Sequence, residues 1–132
     1  MRRQTKRNLA LGDLQTEVMA AIWKLGEATV DDVRELQRPG QRSAYNTVQT
    51  VMNRLLDRGL LTRQRRGKAF VYRARYDESQ LIAMAMREQL AGAAPDTRRA
   101  ALLSLVGELA PDEVDELARQ ANRIRRARGK AD

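Results

Sequence analysis

Arg63, Arg65, Arg66 and Lys68 fall within the stretch TRQRRGKAFVYRAR, which contains no acid. Just upstream, RSAYNTVQTVMNRLLDRG offers Arg42, Ser43, Asn46, Thr47, Thr50 and Arg54. Side-chain amides and hydroxyls hydrogen-bond base edges, and guanidinium or ammonium groups neutralise phosphates. A merely solubilising surface would more often carry Glu and Lys. Over residues 42–75, nine cations stand against Asp57 alone, a balance equal to the net charge of the whole chain, +8. Residues 1–11 carry four cations and no acid, whereas the last fifty-four residues hold nine cations and eight acids. A charge run is commonly a solvated face, but one this lopsided, folded onto one helix and one hairpin, points to a polyanion.

The same composition leaves little for catalysis. The chain has no His and no Cys. It therefore lacks the commonest general base, a thiol nucleophile, disulfides and the usual zinc, copper or haem ligands. Ser43, Ser79 and Ser104 have no imidazole to activate them. The pairs Asp31-Asp32 and Asp112-Glu113 stand where helices are expected to start, and capping accounts for them. The glycines are scattered and form no phosphate loop. No catalytic residue, metal ligand or cofactor is assigned, and a non-enzyme is expected. No stretch approaches the roughly 18 apolar residues of a membrane span, and MRRQTKRNLALG is followed by no apolar run of the secretory kind. A cytoplasmic protein without membrane insertion is the expectation. The basic arm has two readings, a minor-groove contact or a solubilising tail.

The elements that must position these residues follow from periodicity. In the 132-residue chain, 42% of residues are hydrophobic and 4% aromatic, so the core must be mostly aliphatic. LGDLQTEVMAAIWKLG predicts an amphipathic helix from about Asp13 with Leu14, Val18, Met19, Ile22 and Leu25 on its apolar side, ended by Gly26. A second, shorter helix has Thr29 as N-cap and Val30, Val33 and Leu36 facing inward. RPGQR breaks the chain. A third helix starts near Ser43 or Ala44, with Ala44, Val48, Val51, Met52, Leu55 and Leu56 as one stripe and Gly59 as its cap. Asn46, Thr50, Asn53, Arg54 and Asp57 lie opposite the stripe, with Thr47 and Gln49 on the flanks. LLTRQRR and KAFVYRA predict two short strands joined at Arg66-Gly67-Lys68, with Phe70, Tyr72 and Ala74 alternating against Val71 and Arg73. Phe70 and Tyr72 are read as anchors of this hairpin rather than platforms for bases.

Three helices followed by a basic hairpin is the winged helix-turn-helix layout, in which the third helix enters a major groove. The fold class expected is mostly α with a small β-hairpin wing, joined to a C-terminal helical dimerisation region. The predicted boundaries are 9–78 for the winged helix and 79–128 for the helical region, with 1–8 and 129–132 as tails. The C-terminal region has three helical stretches: DESQLIAMAMREQLAG, PDTRRAALLSLVGEL and APDEVDELARQANRIRRARG. Three short helices in fifty residues make a poor independent core. Their apolar residues Leu81, Leu90, Leu102, Leu105, Val106, Leu109, Val114 and Leu117 are the candidate dimer contacts; covering the winged helix of the same chain is the other reading.

LGDLQTEVMAAIW, AYNTVQTVMNRLLDRGLL and GKAFVYRA together resemble the penicillinase-repressor family of the BlaI/MecI type, over about residues 9–128. That family carries E-V-M and a Trp in its first helix, T-(I/V)-x-T in its recognition helix and a wing ending in Tyr. The resemblance implies a dimeric transcriptional repressor on inverted-repeat operators of double-stranded DNA, often TACA paired with TGTA. It places Asn46, Thr47, Thr50 and Arg54 at the DNA. The family usually has Pro and Lys where this chain has Tyr45 and Asn46. Copper-responsive relatives end in a Cys-rich motif, absent here. Antibiotic-response relatives are inactivated by a membrane-embedded sensor protease, often at an Asn-Phe bond; AALLSLVGEL contains none, and such a protease stays open as a partner that the resemblance implies. Two rival readings stay open: a winged-helix protein-interaction module, and a sequence-neutral nucleic-acid binder.

Overall fold

The computed structural model describes residues 11–131. The N-terminal arm lies outside the described residues. Helix α1 (Asp13–Leu25) begins after Gly12 and ends at Gly26, as the periodicity predicts. Helix α2 (Val30–Leu36) opens with a reciprocal cap: the Thr29 hydroxyl accepts from Asp32 N–H at 3.1 Å, and Thr29 N–H donates to the Asp32 carboxylate at 2.9 Å. Such a box satisfies two of the donors that a helix start leaves without partners.

Helix α3 (Tyr45–Asp57) closes on a Schellman motif. Gly59 N–H donates to Leu56 O and Leu60 N–H to Leu55 O, both at 3.0 Å. Gly59 takes φ 79°, where a β-carbon would be strained. This turn reverses the chain into strand β1 (Leu61–Arg66), which pairs antiparallel with β2 (Ala69–Ala74). Arg66 pairs with Ala69 across the two-residue loop Gly67-Lys68. Gly67 has φ 60°, and among the described residues no non-glycine has positive φ. Glycine at the first loop position alone is the requirement of a type II′ hairpin.

The core lies between α1, α2, α3 and the inner face of the hairpin. Val18, Met19, Ile22, Val33, Val48, Met52, Leu55, Leu60, Leu61 and Tyr72 are almost fully shielded. Four placements differ from the apolar pattern, the first being Leu25, 42% exposed as the last residue of α1. Leu36 is 44% exposed, because α2 ends at that residue and its last turn overhangs the core. Ala44 is exposed, since it is the extended N-cap residue and not part of the helical stripe. In β2, Val71 and Tyr72 are both buried. Tyr72 also pairs on its far side with Ala28, N–H to O at 2.8 and 2.9 Å, a third strand position in the α1–α2 link.

Helix α4 (Glu78–Ala91) is capped by Asp77, whose carboxylate accepts from Gln80 N–H at 2.8 Å and the Ser79 hydroxyl at 2.9 Å. Those two bonds hold the Asp77 carboxyl below the usual range. Leu81, grouped by sequence with the dimer contacts, is only 5% exposed and belongs to the winged-helix core. Met84 and Ala85 pack beside that core. The chain divides into compact units at Gln89/Leu90, rather than at 78/79. The physical reason is the docking of the first turns of α4 through Leu81. The second unit contains helices α5 (Pro95–Val106) and α6 (Pro111–Ala131). Helix α6 continues to Ala131, past the predicted end at 128.

Leu55 is fully buried in the last turn of α3. Leu55→Ala is expected to cost about 2–5 kcal/mol of stability, as core truncations do, while Leu36→Ala on the exposed overhang should cost far less. Urea denaturation of the two variants checks the contrast; equal losses would contradict the placement of the core.

Candidate nucleic-acid interface

Helix α3 has two unlike faces. Val48, Met52 and Leu55 turn inward, while Asn46, Thr47, Thr50 and Arg54 are exposed. Asn53 lies between these faces and is committed to the fold: its side-chain oxygen accepts from the Tyr72 hydroxyl at 2.8 Å and from Arg63 at 2.9 Å. A helix residue, a wing arginine and a buried wing tyrosine thereby meet at one amide.

The start of α3 is fixed by a buried polar hub. Gln37, at 6% exposure, is the buried polar residue of the core. Its side-chain oxygen accepts from Ser43 N–H at 2.9 Å. Its side-chain nitrogen donates to Glu17 at 2.9 Å and to the Ser43 hydroxyl at 3.1 Å. Arg34 Nε donates to Ser43 O at 3.0 Å. Ser43 is thus held on three sides just before the helix, and Asn46, Thr47 and Thr50 inherit that position. Arg42 reaches Glu35 O at 3.4 Å.

The wing sorts its cations onto two sides. The Arg63 and Arg65 guanidinium groups stand over the Phe70 ring, 4.0 and 5.1 Å from its centroid. Phe70 is half-buried under them, so it supports cations rather than offering a bare ring. Arg66 and Arg73 instead converge on Glu27 in the α1–α2 link, at 2.5 and 2.7 Å. These bonds hold the Glu27 carboxyl below the usual range, first through Arg66 and then Arg73, and hold the Arg66 guanidinium above its ordinary value. The carboxylate is therefore ionised at neutral pH, and the clamp loosens only as pH falls through the lowered Glu27 pKa. Arg54 and Lys68 have no ion-pair partner among the described residues.

Arg42, Ser43, Asn46, Thr47, Thr50, Arg54, Arg63, Arg65, Arg66 and Lys68 therefore all lie on α3, its entry or the wing, but in different states. Arg66 is clamped by a carboxylate rather than unpaired. Ser43 supports the fold. Asn53, read from the sequence as part of the exposed polar face, is instead bonded to Tyr72 and Arg63, and Gln37 and Glu27 are the residues that sequence reasoning missed. Gln37 sits in an unpatterned polar break, and Glu27 is one acid in a link, so neither carries a motif. Among the described residues, no three His, Cys, Asp or Glu side chains group as a metal site, and no helix is long and apolar enough to cross a membrane.

Three helices, a Schellman turn into a basic hairpin and a polar face on the third helix define a winged helix-turn-helix DNA-binding protein. Residues 11–123 match the model of the penicillinase repressor family. The chain is 36% identical over 111 residues to the transcriptional regulator BlaI of Mycobacterium tuberculosis, covering 83% of this chain and 80% of that one. It is 30% identical to the penicillinase repressor of Bacillus licheniformis, covering 81% and 85% of the two chains. The solved DNA-binding domain of the repressor BlaI aligns with a TM-score of 0.49 at 31% identity, covering 57% of this chain and 92% of that one. The chain belongs to the penicillinase repressor family, whose members are DNA-binding transcriptional regulators rather than enzymes.

Gln37→Ala would leave Ser43 N–H and the Glu17 carboxylate without this partner. A loss of about 1–3 kcal/mol is expected for an unsatisfied group of this kind. Thermal or urea unfolding measures it; an unchanged midpoint would show that water replaces the amide without cost.

Proposed function

We propose that this protein acts in the cytoplasm as a homodimeric repressor that recognises an inverted-repeat operator, α3 reading bases in the major groove and the wing holding flanking phosphates. The observation that carries the reading is the exposed row Asn46, Thr47, Thr50 and Arg54, set beside Arg63, Arg65 and Lys68 in the most cationic span of the chain. Amides and hydroxyls on the early turns of such a helix are suited to base edges. Arg42, Arg54, Arg65 and Lys68 are suited to phosphates, because no carboxylate neutralises them. Arg63 contributes through the Asn53–Tyr72 contact, and Arg66 with its charge already shared with Glu27. A rival protein-interaction role would call for an exposed apolar patch where this face is polar and cationic.

Assembly rests on different residues. One winged helix covers few base pairs, so specificity favours two copies on two half-sites about one helical turn apart. In the second unit Leu102 and Leu105 of α5 and Leu117 of α6 are exposed, and Val106, Leu109 and Val114 are only partly covered. Leu90, at its start, is partly covered as well. These apolar side chains, without Leu81, are the dimer contacts of this reading. A sensor protease is not assigned to it, since the chain contains no Asn-Phe bond.

Selection of bound duplexes from a random pool should return an inverted repeat. On the selected duplex, Thr47→Ala or Asn46→Ala should cost about 1–3 kcal/mol and much less on random DNA. Replacing Arg65 and Lys68 with Ala should weaken both duplexes and flatten the salt dependence by roughly one log–log unit per lost phosphate contact. Equal losses on both duplexes for Thr47→Ala would reduce α3 to a positioning element.

Leu105→Asp is expected to shift the full chain toward monomer in sedimentation at micromolar concentration and to lower operator affinity with it. A parent chain that sediments as a monomer while binding the inverted repeat would overturn the homodimer.

A further inference from the structure

Along α6, Val114, Leu117, Ala121 and Ile124 recur at spacings of three, four and three residues. That is the a/d pattern of a helix that packs along another helix. Most of the seam is uncovered: Leu117 is 50% and Ile124 53% exposed, Ala121 is open as well, and Val114 is partly covered. The charges of the helix are split by half. Asp112, Glu113, Asp115 and Glu116 occupy its first turns, and from Arg119 onward Arg123, Arg125, Arg126, Arg128 and Lys130 meet no acid before residue 132. Some of this charge is used within the helix. Glu116 accepts from Arg119 and Gln120 at 2.8 Å, and Glu113 accepts from Ala110 N–H at 2.9 Å. Asp115, Arg125, Arg126 and Arg128 have no partner among the described residues.

A bipolar helix with an apolar seam has one good partner, its own copy reversed. We propose that α6 pairs antiparallel with α6 of a second copy in a fixed register, Val114 against Ile124 and Leu117 against Ala121 of the second copy. Two-fold symmetry repeats both layers, and each sets a larger side chain against a smaller one. In this register Arg125 flanks the seam on the side of Asp115 of the second copy, and Arg123 on the side of Glu113 of the second copy. A parallel pair would gather the cationic halves at one end and the acidic halves at the other, a repulsion only partly screened at physiological salt. The proposal rests on the homodimer reading and adds its orientation and register.

The chain has no cysteine, so single-cysteine variants report the pairing directly. Val114→Cys and Ile124→Cys are small changes at seam positions outside the winged-helix core, and sedimentation under reducing conditions measures how much of the parent dimer each variant retains. Two copies of residue 114 would lie about 15 Å apart along an antiparallel pair, at 1.5 Å rise per residue, beyond disulfide reach. Co-expressed Val114→Cys and Ile124→Cys chains should therefore form a mixed covalent dimer on oxidation, and each variant alone should form none. Self-crosslinking of either variant would overturn the antiparallel orientation. A non-covalent dimer that yields no mixed crosslink would overturn the α6 seam while leaving the homodimer reading intact. A monomeric parent chain would overturn both.

Discussion

Tyr72 is the residue on which the winged helix is hung. Its backbone pairs with Ala28 on one side and lies in register with Arg63 on the other, so β2 is the central strand position of the small sheet. Its ring is buried in the core, and its hydroxyl donates to Asn53 on α3. A buried tyrosine is stable only if its hydroxyl finds a partner. Here the partner is the helix that carries the exposed polar face. The wing, α3 and the α1–α2 link are therefore fixed relative to one another by one residue. The hairpin by itself would not hold this geometry, since an isolated two-stranded ribbon is marginal in water.

The second organising constraint is charge. The span 42–75 would repel itself if every cation stood free, and the fold manages this locally. Glu27 takes Arg66 and Arg73 together, and the Phe70 ring supports Arg63 and Arg65. These are exposed contacts, each worth little alone in water. Their consequence is positional: Arg66 and Arg73 are drawn back toward the α1–α2 link, and Arg65 and Lys68 are left as the wing cations nearest to unneutralised. The cationic character seen in the sequence is thus sorted into a structural share and a share available to an anion.

Most of this architecture was legible because it obeys short-range rules. Thr29 with Asp32, Gly59 after Leu55-Leu56, and Gly67 at the hairpin each announce a local geometry that the chain adopts. The apolar stripe of α3 was legible from its period, except at Ala44, where the cap precedes the helix. What stayed hidden depends on partners far away in sequence. Gln37 meets Glu17 twenty residues back, Glu27 meets Arg66 thirty-nine residues on, and Trp23 donates to Tyr76 O across fifty-three. No periodicity encodes such pairs. Leu81 was misplaced for the same reason: its helical neighbours Leu81, Met84 and Ala85 form a stripe, but a stripe does not say which surface it covers.

The two units also differ in how they are stabilised. The winged helix buries Met, Leu, Val and Tyr side chains around a polar hub and needs nothing further to account for its fold. In α5 no residue is buried, and α6 ends in a run of arginines. The conformational entropy of ordering about forty residues is of the order of 1–2 kcal/mol per residue, and exposed leucines return little of it. Helix capping by Pro95, Pro111 and Glu113 lowers that cost without offsetting it. A second copy supplies the missing burial in the proposed assembly, and this makes DNA recognition depend on chain concentration: the reading heads are built in each chain, whereas their spacing exists only in the pair.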